Sequence, residues 1–266
     1  MDVYESAAKG FLELASDQRL NILFTLLEKK TKVSPVAKEL NATIQHVHKN
    51  FQRLTDAHLI AKEGDGYYRL TAFGEIVCTQ IPSMFFLSKN MKYFSDHNFG
   101  DIPKKFVMRI GALVGGQQIN GFANILEKWK TIFENANKYI YGILIEEPLD
   151  LIKPIVRKAE EGIKINSIFS ESAIIPKGRK QILEKLGFKK LLEKGAVERK
   201  MKKDVKVVVV LNEKEACVMF PRISDEPDLS KMFYGNDSLF HEWCLDYFRY
   251  CWYGSEIFQE RRLKEE

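Results

Sequence analysis

Apolar residues recur at helical spacing through the first eighty positions. Between Tyr4 and Leu14, Ala7, Ala8, Phe11 and Leu12 fall on one side of a helix. Ser16-Asp17 supplies an N-cap for a second helix, whose apolar positions are Leu20, Leu23, Phe24 and Leu27. Ser34-Pro35 opens a third, short helix with proline at its first position, where the missing N–H costs nothing. Asn41 suits a left-handed turn residue, and Thr43 caps the next helix. There Ile44, Val47, Phe51 and Leu54 recur at i, i+3, i+7 and i+10, the spacing of one buried stripe. The opposite face carries Gln45, His46, Lys49, Gln52 and Arg53, with His48 on its flank. Strand-like runs at Leu59-Ile60 and Tyr67–Leu70 enclose Gly64-Asp65-Gly66, which tolerates a tight turn, and Thr71 caps a further helix. Helix, turn, helix and hairpin in this order form a shape that places one helix in a groove of duplex DNA.

From Ile76 to about Ile119 the pattern stays helical, with an apolar knot at Phe85, Phe86 and Leu87 and with Pro103 opening another helix. Gly111, Gly115 and Gly116 do not make a phosphate cradle, because no strand precedes them and no Gly-Lys-Ser/Thr follows. Gly115-Gly116 reads as a helix stop, and residues 81–120 as a helical linker that pairs two subunits. Beyond Asn120 strands and helices alternate. Strands are expected at Tyr139–Ile145, Ile163–Phe169 and Val197–Met201, and as a hairpin at Val205–Leu211 and Ala216–Phe220. Helices are expected at Pro148–Glu161 and Pro176–Leu186, and a long aromatic helix from Ser238 to about Arg262. Strand-helix-strand order implies an α/β layer with a partly parallel sheet.

Composition sets outer bounds. The chain has 266 residues, 45% of them apolar, enough for two modest cores. No apolar run reaches the roughly 18–20 residues that span a bilayer, and the acidic start MDVYESAAKGF does not read as a secretory signal. Cys78, Cys217, Cys244 and Cys251 show no paired spacing, so a reducing cytoplasm is expected. Charge is uneven: residues 1–80 hold ten basic and ten acidic side chains, and residues 150–206 hold sixteen against eight. Nonspecific affinity for DNA rests on phosphate neutralisation, so the neutral first part argues against strong binding by one copy.

The residues from Leu40 to Ile60 (L-x6-V-x6-L-x2-A-x-L-I) and from Asp65 to Gly74 (D-G-x-Y-x-L-T-x2-G) resemble the ArsR-type winged helix of archaeal regulators. Asn41 and His58 stand where that family usually has glycine, and both residue types are enriched at positive φ. The resemblance implies base-reading positions at Thr43, Gln45, His46, His48 and Lys49. Arg53 shares that polar face, Lys62 and Arg69 are placed to touch phosphates, and Tyr67 to rest on the sugar backbone. A solvated face of a protein-interaction module is the other account of this surface.

The second half resembles the effector domain of archaeal methanogenesis-regulatory transcription factors, related in fold to phospholipase D-like phosphodiesterases. The likeness is carried by E-E-P-L at 146–149, E-x-G-I-K-I at 160–165, V-V-V-V-L-N-E-K-E-A at 207–216 and F-H-E-W-C-x-D-Y-F-x-Y-C-W at 240–252. Phospholipase D chemistry needs H-x-K-x4-D, which is missing, so binding rather than catalysis is expected. The implied fold is an α+β winged helix-turn-helix domain (residues 1–80), the linker, and an α/β, phospholipase D-like, mixed-sheet domain (121–266). Such a chain is expected to be a homodimeric regulator that binds an operator in double-stranded DNA and an unknown effector, with no cofactor, metal or membrane partner. Phe220, Arg222, Met232, Phe233 and Trp243 are candidate ligand contacts near a loop after a strand end. Ordinary core packing also accounts for them. The basic stretch that includes Lys177, Arg179, Lys180, Arg199 and Lys200 either meets an anionic effector or is a solvated face. Cys244 and Cys251, with His241 nearby, either pack or sense.

Overall fold

The structure is a computed structural model that describes residues 2–265. The chain divides into two compact units, residues 1–84 and 85–266.

The first unit runs α1 (Val3–Leu14), α2 (Asp17–Glu28), α3 (Val33–Glu39), α4 (Ile44–Asp56), β1 (Ile60–Lys62) and β2 (Tyr68–Leu70), and then enters α5 (Ala72–Lys89). Ile22, Leu23, Val36, Val47, Phe51, Leu54, Ile60 and Leu70 form its core. Two turns set its geometry. After α3 the amide of Asn41 donates to Lys38 O and that of Ala42 to Ala37 O, at 3.2 and 3.0 Å. After α4 the amide of His58 donates to Thr55 O and that of Leu59 to Leu54 O, at 2.9 and 3.0 Å. Both are Schellman closures, and both place a non-glycine residue in the left-handed region, Asn41 at φ 48° and His58 at φ 59°. The expected helix at Ser34-Pro35 starts one residue earlier, at Val33, so Pro35 is its third residue. That position also lacks an intrahelical N–H partner. Ile44 departs from the expected stripe and is 57% exposed, because no preceding turn of helix covers the first residue of α4.

The second unit adds a short helix α6 (Lys104–Val107), β3 (Gln117–Asn120), α7 (Phe122–Glu134), β4 (Tyr139–Glu146), α8 (Leu149–Glu160), β5 (Lys164–Ile175), α9 (Arg179–Lys185), α10 (Phe188–Glu193) and β6 (Val197–Lys202). It continues with β7 (Val208–Asn212), β8 (Ala216–Met219), β9 (Lys231–Gly235), α11 (Ser238–Tyr253), β10 (Glu256–Ile257) and β11 (Lys264–Glu265). These strands form one mixed sheet in the order β10-β6-β5-β4-β7-β8-β9-β3, with β11 beside the far end of β5. The β4–β5 and β5–β6 pairs are parallel, and the β4–β7, β7–β8, β8–β9 and β9–β3 pairs antiparallel. Alternate side chains leave on opposite faces: Val208 and Val210 join one core with Trp129, Val156 and Phe188, whereas Val209 and Leu211 join another with Phe240, Trp243 and Tyr247. The result is a sheet covered on both sides by helices, a mixed α/β fold.

Four expectations are corrected. Residues 85–120 are no linker, since Phe86, Tyr93, Ile102, Phe106, Ile110 and Leu113 are buried in the core beneath α11. Gln117–Asn120 is an edge strand whose partner β9 lies over a hundred residues away, a pairing that local pattern does not encode. The helix expected at Pro176–Leu186 is shorter, Arg179–Lys185, and a further short helix that was not expected, α10, follows Gly187, which adopts φ 66°. The aromatic helix stops at Gly254, after which the chain turns extended.

Gly235 is the tightest point of the second core, where an added Cβ would lie 2.5 Å from the Phe240 ring. Gly235→Ala is expected to destabilise the second unit by about 1–3 kcal/mol through overpacking. Tryptophan fluorescence during urea unfolding measures this directly, since Trp129, Trp243 and Trp252 all lie in that unit.

Candidate nucleic-acid interface

Helix α4 begins at Thr43, whose Oγ1 accepts from the His46 amide at 3.3 Å. Val47, Phe51 and Leu54 are buried, and so is Asn50, which donates to Gln18 Oε1 at 2.8 Å. This face fixes the helix on α2. The opposite side leaves Gln45, His46, His48, Lys49 and Gln52 exposed, and Ile44, in the first turn of the buried stripe, is exposed beside Thr43. These side chains offer amide, imidazole and ammonium groups that bind base edges or phosphates, and Ile44 offers the apolar contact that a thymine methyl takes. Ile44 was missed because stripe spacing assigns it to the core.

A positive ribbon belongs to the same unit. Ile60–Lys62 pairs antiparallel with Tyr68–Leu70, and Gly66 at φ 82° permits the turn between them. Thr31 adds a third strand position: its amide donates to Tyr68 O at 3.2 Å, and the Tyr68 amide to Thr31 O at 2.8 Å. Lys30 and Lys32, two apart on either side of Thr31, therefore join the ribbon, with their ammonium groups 5.6 and 4.6 Å from the centre of the Tyr67 ring. Sequence reading missed both, because only the long-range bridge turns Lys-Thr-Lys from loop into ribbon. Lys62 is exposed, Tyr68 is buried in the core, and Tyr67 lies half-buried under the two lysines. Glu63 pairs with Lys30 at 3.0 Å and Arg69 at 3.3 Å, and its hydrogen bond raises the Lys30 pKa. The ribbon from Lys30 to Lys32 and Lys62 to Arg69 holds four basic side chains, Lys30, Lys32, Lys62 and Arg69, against the acidic Glu63 and Asp65. A first unit with no net charge over residues 1–80 thus has a net positive edge.

Arg53 leaves the expected DNA-contact set. Its Nε and Nη2 donate to the two carboxylate oxygens of Glu13 at 2.9 and 2.7 Å, a bidentate pair that fastens α1 to α4. Arg19, almost buried, completes the fastening by donating to the carbonyls of Glu13 and Leu12 at 2.6 and 2.9 Å.

The five expected ligand contacts do not surround a cavity. Phe220, Phe233 and Trp243 are buried in the core under α11, Met232 is buried in the other core, and Arg222 is an exposed side chain 3.5 Å from Asp228. An apolar run after a strand end reads alike whether it lines a pocket or fills a core. A surface cleft of about 700 Å³ lies elsewhere in this unit, lined by Lys105, Arg109, Lys202, Arg249, Tyr250 and Tyr253 among others. The histidines outside the first unit have fixed partners. His97 is buried between Asp228, 2.8 Å from Nε2, and Asp96, 2.5 Å from Nδ1, and His241 Nε2 meets Asn212 O at 2.7 Å. Burial pushes the thiols of Cys244 and Cys251 up, which suits packing rather than thiolate chemistry. Among the described residues, no three His, Cys, Asp or Glu side chains gather as a metal site, and no helix is long and apolar enough to cross a membrane.

No family model matches the chain, and no curated protein matches it. Among solved structures, similarity is found to TrmBL2, described as an archaeal chromatin protein with a novel mode of DNA binding. It is 12% identical, covers 89% of this chain and 92% of that one, and has a TM-score of 0.42. NucT from Helicobacter pylori is 15% identical over 54% of this chain and 98% of its own, at a TM-score of 0.41. Nuc from Salmonella typhimurium, a phospholipase D family member, is 12% identical over 55% of this chain and 99% of its own, at 0.38. Likenesses of this size establish no kinship, and function rests on this chain's own residues.

The Glu13–Arg53 pair has a pH signature. The hydrogen bond from Arg53, aided by its charge and that of Arg19, holds the Glu13 carboxyl below its ordinary value despite opposing burial. A carboxyl depressed in the folded state contributes stability above its unfolded pKa, near 4.3, and loses it as pH falls through the folded value. Wild-type protein should therefore lose first-unit stability on acidification below about pH 4.3, and Glu13→Gln should flatten that loss while lowering stability at pH 7. Circular-dichroism melts between pH 3 and 7 check this, with tryptophan fluorescence reporting the second unit as control.

Proposed function

We propose that the chain is a DNA-binding transcriptional regulator. Its first unit is a winged helix-turn-helix that reads an operator in double-stranded DNA. Its second unit, of phospholipase D-like type, binds an effector and does not catalyse. The observation that carries this reading is the outward face of α4: polar side chains that no core needs, beside a ribbon carrying Lys30, Lys32, Lys62 and Arg69. Thr43, Gln45, His46, His48 and Lys49 are assigned to base edges and nearby phosphates, and Ile44 to a thymine methyl. Lys62 and Arg69 are assigned to the flanking backbone, with Tyr67 orienting the lysines. The fixed partners of His97 and His241, and the missing H-x-K-x4-D pattern, support binding over hydrolysis.

Two copies act together in this reading. Helix α1 buries none of its residues within the chain, and Tyr4 and Phe11 are 83% and 71% exposed. Phe11 and the exposed Phe73 of α5 line an apolar groove of about 410 Å³ together with Ala7, Leu14, Leu59 and Val77. A homodimer covers that surface and sets two α4 helices on half-sites about 34 Å apart. An effector alters DNA binding only through preference for one arrangement of the pair.

Lys49→Ala is expected to weaken operator binding about tenfold without changing the melting temperature. A gel shift at fixed salt on DNA fragments selected from a random pool measures it, and unchanged affinity sinks the assignment. Phe11→Glu is expected to convert a dimer to a monomer in light scattering; a wild-type monomer, or a variant that stays dimeric, removes the pairing reading.

A further inference from the structure

Most basic side chains between residues 150 and 206 face water, but Lys158, Arg179 and Arg199 turn inward, Lys158 to the carbonyl of Ala136 and the two arginines toward each other. Arg179, 1% exposed, is the first residue of α9, and its Nε donates to Glu147, just after β4. Its Nη1 donates to Glu260 Oε1. Arg199, within β6, donates from Nη1 to the other oxygen of the same carboxylate at 3.1 Å. Its guanidinium lies 4.0 Å from the centre of the Phe258 ring, which itself packs 5.5 Å from Phe169. Two guanidinium groups thus converge on one carboxylate, Arg179 from just after β5 and Arg199 from within β6, where it is in register with Ser167 of β5.

Two donors are left over. Arg179 Nη2 and Arg199 Nε are buried with no hydrogen-bond partner, although an unpaired buried N–H is costly. Glu260 accepts from one arginine at each oxygen, and neither oxygen bonds the leftover donors. A phosphate monoester brings three terminal oxygens and up to two negative charges, which match two cationic forks with spare donors. Glu260 is half-exposed on a single 3-10 turn, in a segment tied to the sheet on one side by the two-residue pairing of β10 with Lys200 and Met201, on the other by the two-residue pairing of β11 with the end of β5, and between them by Arg262 to Glu171. The space left between Glu147, Ser167, Phe169 and Arg199 is about 10 Å³, room for one water. A ligand therefore enters only where Glu260 and Phe258 leave. Burial lowers the Arg199 pKa and the Glu260 charge opposes that shift.

We infer that Arg179 and Arg199 bind the phosphate group of a small phosphorylated molecule, and that residues 254–263 close this site with Glu260 standing in for that group. The regulatory consequence rests on the proposed effector role of this unit; the binding itself needs no DNA.

The test uses the full chain, with inorganic phosphate and glucose 6-phosphate as probes and sodium chloride at matched ionic strength as control. Unfolding is followed by tryptophan fluorescence. Both probes should raise the midpoint above the chloride control, the ester more if its sugar is also contacted. Glu260→Gln should lower the phosphate Kd about tenfold, by removing the competing carboxylate. Arg199→Gln should abolish stabilisation, and Arg199→Lys, which keeps charge but loses the fork, should weaken it. The inference is overturned if neither probe stabilises wild type or Glu260→Gln, or if both arginine variants respond as wild type. A chain that binds phosphate but no DNA keeps this site and loses the regulatory reading; one that binds DNA but no phosphate does the reverse.

Discussion

A sheet whose central strands are apolar on both faces has to be covered twice, and the second unit follows from meeting that demand. Val208 and Val210 face α7, α8 and α10, and Val209 and Leu211 face α11. One aromatic helix is too narrow to cover the second face, so residues 86–113 pack beside it, with Phe106 against Trp243 and Tyr247 at ring distances of 5.8 and 5.3 Å. The Trp243 indole N–H donates to Phe106 O at 3.0 Å, which leaves no cost for burying that ring. Gly116 and Gly235 let the Phe240 ring approach backbone on both sides. The aromatic residues that look like a ligand pocket in the sequence are what seals this face.

The first unit meets the opposite demand: it must keep a polar helix face out of its own core. Short turns do this by rigidity. Closing α3 and α4 with the same pair of backbone hydrogen bonds fixes the start of the α3–α4 turn and the entry into β1. Asn41 and His58 accept the left-handed conformation at some strain relative to glycine. Asn50 and Phe51 then hold α4 from beneath, and its outward face has only solvent or a ligand to meet.

Charge placement separates roles that a net count blends. In the first unit, acidic Glu13 is spent on Arg53 and Arg19 behind α4, whereas the lysines of the ribbon gather at its edge. In the second, the inward Arg179 and Arg199 share an exposed carboxylate while the lysines around them face water. Each arginine pair sits where its fork matches a carboxylate, and lysines sit where a diffuse positive field suffices.

Features set by neighbours within a turn of helix or a hairpin were legible in the residues alone. The helices of the first unit, the caps at Ser16 and Thr43, the left-handed Asn41 and the β7–β8 hairpin all depend on local backbone geometry and short-range periodicity. What depends on distant partners was not legible. Arg53 reads as a DNA contact until Glu13, forty residues away, takes its guanidinium; Lys30 and Lys32 read as loop until Thr31 pairs with Tyr68. Residues 81–120 read as a helical linker until a sheet face needs those from 85 on, and Arg199 reads as part of a basic run, solvated or facing an anionic effector, until Glu260 and Phe258 fold over it. Burial and pairing across the chain are decided by which surfaces meet, and one-dimensional spacing carries no record of that.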